Sequence, residues 1–440
     1  MKKTIPMLIS LLIITTTVAC MAESKEPEKA KRIPASFNLP ADQFELLQYL
    51  DKIDFISMRS HSWNVWAGLT YQETLDDAAI FESWYPADYV FHQDDSPPPA
   101  HTRSFKTHIE APKQHLFESA RPGESQISHV MYNEPARKHI RDNKLYVRQT
   151  LDDLNSGFNR NKTPGWNRTV AQFSTDAIVI KPVWWPIKKG EATALPVWDG
   201  PYAAKDDQGI FPSMPANDWP LAVAVIPPGV KPPTDLTQVK GTNAGQKIRG
   251  TVGLDEFYYF EITQDMIARL EASEQTGFSH IKAGDYAVLI AMHVTTREIN
   301  SWAWSTYWWH DKPDTGHLAD DRPDSVKGVW AHFLMNTAFS MDTPGAKDKG
   351  PHIVYNPYIE GKFVNGVVSN CMACHNRAAS PPLATTPANL CGALPITRGS
   401  HNFLPSSPDR NNRLKLEFLW SILFRSQPKP PECLLGAGPG

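Results

Sequence analysis

The sequence predicts an α+β protein, with a β-rich antiparallel body, a single sheet or a sandwich, between helical segments at both ends. Three observations predict it. Between Thr169 and Trp309 four runs, 177–185, 221–226, 257–262 and 286–295, are rich in β-branched and aromatic residues. Proline–glycine punctuation separates them, as from Trp219-Pro220 to Pro227-Pro228-Gly229, and such stretches cannot continue a helix. Before and after this region, apolar residues recur at near-helical spacing.

The chain opens with Lys2 and Lys3, an apolar stretch over 5–18 and then small residues, the three parts of an export signal. Cys20 follows Val18-Ala19 as in the lipobox of bacterial lipoproteins, although Thr17 stands where leucine is usual. Lipidation of Cys20 and ordinary cleavage after Ala19 or Ala22 both fit, and either exports the protein. The signal therefore spans 1–19 and a tether 20–40, in which 23–32 is too polar to offset the entropy of ordering it. Asn38-Leu39-Pro40 then precedes a helical pattern over 41–58, carried by Phe44, Leu46, Leu47, Leu50, Ile53 and Phe55. This helix opens the β-rich domain, 41–328.

The stretch 87–113 contains Pro97-Pro98-Pro99 and several histidines and reads as a surface loop. His92, His101, His108 and His115 lack the i,i+4 spacing of a helical ligand pair, so no metal site is read there. Paired aromatics such as Trp184-Trp185 and Trp308-Trp309 are read as core, not as an electron path or sugar platform.

With 440 residues, 41% hydrophobic and 21% charged, the chain can fill two or three globular domains. A net charge of −3 leaves no basic excess to attract nucleic acid or an anionic membrane. No apolar run after the signal is long enough to span a bilayer, so membrane attachment would be through lipid on Cys20.

The last segment, 329–440, contains Cys371-Met372-Ala373-Cys374-His375, two thiols and an imidazole at the spacing that covalent attachment of one c-type haem requires. The thiols of Cys371 and Cys374 would add across the haem vinyl groups, and His375 would ligate iron on the proximal side. Two other readings compete. A thioredoxin-like pair would follow a strand and open a helix, whereas 358–370 reads as a short helix. A zinc site would recruit Cys391 and Cys433, but the chain has five cysteines and no second close-spaced pair. In an oxidising compartment Cys391 and Cys433 are either a disulfide or two buried thiols. Beyond the motif, Asp409 precedes Leu414, Leu416, Phe418, Leu419, Trp420, Ile422 and Leu423, which read as an apolar helix packed near the haem. That arrangement resembles small cytochromes c.

Several stretches resemble a bacterial group of exported single-haem cytochrome c family proteins, many of them lipoproteins. They are Ser62-Trp63-Asn64-Val65-Trp66-Ala67-Gly68-Leu69 with Trp84, Ile180-Lys181-Pro182-Val183-Trp184-Trp185-Pro186, Ser301-Trp302-Ala303-Trp304-Ser305-Thr306, and the haem motif. The resemblance implies haem c and electron transfer outside the cytoplasm to a redox partner protein, with no specific substrate. Small cytochromes c take a methionine well after the proximal histidine, yet none follows Met372 here. Met341 is the preferred sixth ligand. His401, Met335, His293 and water are the alternatives. An electron carrier is the leading expectation, with a haem peroxidase or oxygenase, or a haem sensor, as alternatives.

Overall fold

The computed structural model describes residues 30–74, 77–93, 126–199, 214–239, 241, 243–272, 280–314, 316, 318–340, 353–361, 370–376, 378–381 and 413–428. The signal, Cys20, Met341, Cys391, His401, Cys433 and most of the His- and Pro-rich stretch lie outside the described residues. The protein is α+β, with a large antiparallel sheet and several helices.

The single helical pattern over 41–58 divides into α1 (Gln43–Asp51) and α2 (Phe55–Leu69). Each has its own aspartate cap. Asp42 accepts from the amides of Phe44 and Glu45, Asp54 accepts from Ser57, and between the two helices Ile53 turns the chain with φ of 54°. Residues 30–40, assigned to the tether, pack instead: Ile33, Phe37 and Leu39 lie against the main core. Gly68 lets them approach α2, since a Cβ there would meet Ile33 Cγ2 at 2.7 Å.

Next come β1 (Tyr85–Pro86), α3 (Ala87–Val90), β2 (Ile127–Ser128), β3 (Met131–Tyr132), α4 (Glu134–Asp142) and α5 (Arg148–Arg160). The expected strands follow as β4 (Ile178–Ile187), β6 (Leu221–Ile226), β8 (Tyr259–Glu261) and β9 (Tyr286–Thr296), joined by β5 (Thr193–Pro196), β7 (Lys247–Gly253), α6 (Gln264–Ala272) and β10 (Ala303–Trp309). The β11 strand (Phe333–Ala338) lies in the C-terminal part expected to be helical, because both of its faces are buried and helical and strand periods cannot be told apart in so short an apolar run.

The eight-stranded sheet runs β1-β3-β4-β9-β10-β11, with β2 on β4 and β8 on β9, all antiparallel. A second sheet, β5-β6-β7, is mixed, since β6 and β7 are parallel. Its Leu195, Val223 and Val225 join the main core, while Ala194, Ala222 and Ala224 line its other face.

Register sorts the large sheet's faces. Pro182, Met292, Tyr307 and Met335 form one cross-strand row, in which Tyr307 stacks on Trp66 of α2 with ring centroids 4.3 Å apart. The opposite face carries two adjacent rows, Val179-Thr295-Trp304-Ala338 and Lys181-His293-Thr306-Asn336. Against this face lie the C-terminal elements: α7 (Pro357–Glu360), α8 (Cys371–His375), β12 (Ala379–Ser380), β13 (Leu414–Lys415) and α9 (Trp420–Arg425). The apolar helix expected through 414–423 is a strand, a turn and then a helix, with β13 paired to β12. Its residues and Met372 share one apolar cluster with Tyr85, Tyr132, Ile140, Leu151 and Trp304.

Most of the tryptophans are core residues. Trp63, Trp66, Trp84, Trp184, Trp198, Trp219, Trp302, Trp308 and Trp309 are all fully buried.

Candidate functional site

The Cys-x-x-Cys-His motif forms α8, and Asn370 fixes its start. The Asn370 side-chain oxygen accepts from the Met372 amide at 3.1 Å, and its Nδ2 donates to the Ser340 carbonyl, just past β11, at 2.9 Å. Met372 faces inward and is buried. Cys371 sits half-buried at the edge of the same cluster, and the Cys374 side chain lies outside what the structure describes.

His375 closes α8 with its ring 4.3 Å from that of Trp304, on the sheet face described above. Its Nδ1 is 2.8 Å from the Phe418 carbonyl oxygen. A carbonyl only accepts, so Nδ1 carries the hydrogen. Burial pushes the imidazole down to about 4; the Phe418 bond opposes this, and the positive fields of His293 and Lys181 add to it. At neutral pH the ring is therefore uncharged, with a lone pair on Nε2. Among the described residues nothing hydrogen-bonds to that nitrogen. An imidazole in this state could ligate a haem iron through Nε2, with the Nδ1 bond fixing its tautomer and orientation.

The Phe418 oxygen is presented by an unusual turn. Glu417 and Phe418 have φ of 48° and 67°, and the Leu419 amide donates to the Leu416 carbonyl at 2.9 Å, the pattern of a primed turn. Such turns favour Gly or Asn, and each side chain placed there costs about 1–2 kcal/mol. The Glu417 carboxylate meets Arg297 Nε at 3.1 Å, with both side chains buried. Arg297 is held in turn by the Ile299 carbonyl at 3.0 Å and by Asn300 Oδ1 at 3.2 Å.

One pleat along β10 from Trp304, about 7 Å away, lies a closed ring of hydrogen bonds. Asn356 Nδ2 donates to Thr306 Oγ1 at 2.7 Å, and Thr306 Oγ1 lies 2.8 Å from His293 Nδ1. His293 Nε2 meets Glu360 Oε1 at 2.6 Å, and Glu360 Oε2 accepts from the Asn356 amide at 2.6 Å. Both nitrogens of His293 are thus engaged, and neither is free for iron. Met335 is fully buried on the opposite face of the sheet, in the row with Tyr307, so it cannot reach the His375 side. Of the expected sixth ligands, Met341 and His401 lie outside the described residues.

The structure therefore brings Cys371 and His375 to one sheet face. It adds residues that sequence reasoning missed: Asn370, Trp304, Phe418, Arg297 and Glu417. Asn370 had a readable signal, an asparagine directly before a helix. Comparison with family models, with curated proteins and with solved structures finds no match to this chain.

Proposed function

We propose that the chain is an exported c-type cytochrome that carries one haem on Cys371 and Cys374 and transfers electrons outside the cytoplasm to a redox partner protein. Its segment 329–440 is the haem-binding, cytochrome c-like part, as the resemblance to exported single-haem cytochrome c family proteins implies. Lipid on Cys20 would hold it at a membrane facing the periplasm. When bound, the haem supplies a one-electron ferric–ferrous couple.

The observation that carries this reading is the state of His375. Directly after two thiols at haem spacing stands a neutral imidazole, with Nδ1–H anchored on the Phe418 oxygen and Nε2 available as a donor. Trp304 holds the ring from one side, and Asn370 holds the helix that bears the thiols. A haem enzyme with an open iron position is the second reading. It is favoured by the commitment of His293 and Met335 to other contacts.

Haem staining of fractionated cells after denaturing electrophoresis tests the proposal, since thioether bonds survive denaturation. Wild type should stain in the exported fraction, and Cys371→Ala/Cys374→Ala should not stain at all. An unstained wild type, or a stained double variant, removes the reading. On purified protein a low-spin spectrum supports the carrier, whereas a high-spin spectrum with ready binding of added ligands moves it to the enzyme.

A further inference from the structure

We propose that the buried Arg297–Glu417 ion pair is the positioning device of the haem ligand, setting through the Phe418 carbonyl how strongly His375 donates to iron. The inference rests on the reading of His375 as that ligand. Four observations on one short path carry it.

First, the acceptor of the His375 Nδ1–H is a backbone oxygen, so its position is set by torsions and not by a side-chain rotamer. Second, those torsions are the ones that side chains disfavour, with Glu417 and Phe418 both left-handed. A two-residue turn of this kind without glycine or asparagine needs an outside hold. Third, Glu417 has that hold: its carboxylate is anchored on a buried guanidinium that is itself fixed by the Ile299 carbonyl and Asn300, while the Arg297 amide donates to the Ala177 carbonyl at 2.9 Å. Fourth, Trp304 reaches both sides of the contact, lying 4.3 Å from the His375 ring and 6.5 Å from the Phe418 ring. Its indole thus packs beside the bond between the His375 ring and the Phe418 oxygen.

A firm Nδ1–H···O=C bond gives the imidazole more anionic character and makes Nε2 a stronger donor, which favours ferric iron. Loosening the turn should therefore raise the reduction potential. If Arg297 and Glu417 only dock the 414–423 segment on the sheet, they contribute to stability and leave the potential alone.

The test uses the full-length haem-loaded protein and the variants Glu417→Gln, Glu417→Ala and Arg297→Lys. Reduction potential and the iron–histidine vibration are read on the loaded fraction, beside unfolding in denaturant. The expected result is a positive shift in potential with a weaker iron–histidine vibration, larger in Glu417→Ala than in Glu417→Gln. Lower stability with an unchanged potential leaves a docking clip and overturns the proposal. So does a folded variant that carries no haem, because the pair would then serve attachment. Where these variants fail to accumulate, Asn300→Ala removes one contact to the guanidinium from an exposed turn residue. An unchanged potential there also overturns the proposal, whereas a small positive shift supports it. A wild type without haem removes the haem reading itself, a failure visible before any variant is compared.

Discussion

What a histidine can do depends on which nitrogen keeps the proton, and at His375 a single backbone oxygen makes that choice. The thiols that precede it need a comparable fixed point, and Asn370 provides it by capping α8 and gripping the Ser340 carbonyl. Asn370→Ala should cost about 1 kcal/mol through the lost cap, with a further loss from the Ser340 contact. On the proposed reading the fraction of chains carrying haem should fall, while Asn370→Asp keeps the cap and holds most of it. Haem-to-protein ratio and denaturant unfolding measure the two effects, and an unchanged ratio in the alanine variant would remove Asn370 from attachment. At this scale the chemistry was half legible. Cys371, Cys374 and His375 announce themselves by spacing, because the chemistry proposed for them belongs to their side chains. Phe418 contributes a carbonyl that every residue possesses, 43 positions from His375, and no residue type marks it.

At the scale of elements, the ring through Asn356, Thr306, His293 and Glu360 fastens α7 across β9 and β10, ahead of α8 in the chain. Because the ring is closed, removing one member leaves partly buried partners unsatisfied. Glu360→Ala strands the His293 Nε2–H and the Asn356 amide, and should cost about 1–3 kcal/mol. Hydrogen exchange of 353–361 should quicken more than that of β4 and β9. Uniform exchange across these segments would show that the ring does not hold α7 separately. The strands of the body were legible because their β-branched and aromatic runs are long and bounded by proline and glycine. The β11 strand and the 414–423 segment were not. The β11 strand is buried on both faces, so no period survives in its sequence, and the turn that divides 414–423 uses Glu417 and Phe418 in place of the usual turn residues.

For the whole molecule, one buried carboxylate joins the N-terminal helices to the end of the sheet. Glu298, 2% exposed, accepts from the Ala41 amide at 2.7 Å ahead of α1, from His61 Nε2 of α2 at 2.9 Å, and from Thr296 Oγ1 at the end of β9. Burial by itself would raise this carboxyl. The charge and hydrogen bond of His61, with Thr296 and the Ala41 amide, outweigh burial and hold it below the ordinary glutamate value. A depressed carboxyl contributes stability that is present above its unfolded-state value and is lost as pH falls through the folded-state value. Wild type should therefore lose stability steeply on the acid side of the usual glutamate range. Glu298→Ala should cost about 3–5 kcal/mol near neutral pH, because the partners of a buried ion are left behind, and it should flatten the acid slope. Denaturant melts of both proteins from neutral to strongly acid pH measure the difference. Parallel stability curves would mean that the link between helices and sheet is held by the apolar cluster of Leu46, Met58, Ile299 and Phe339, and not by the charge of Glu298.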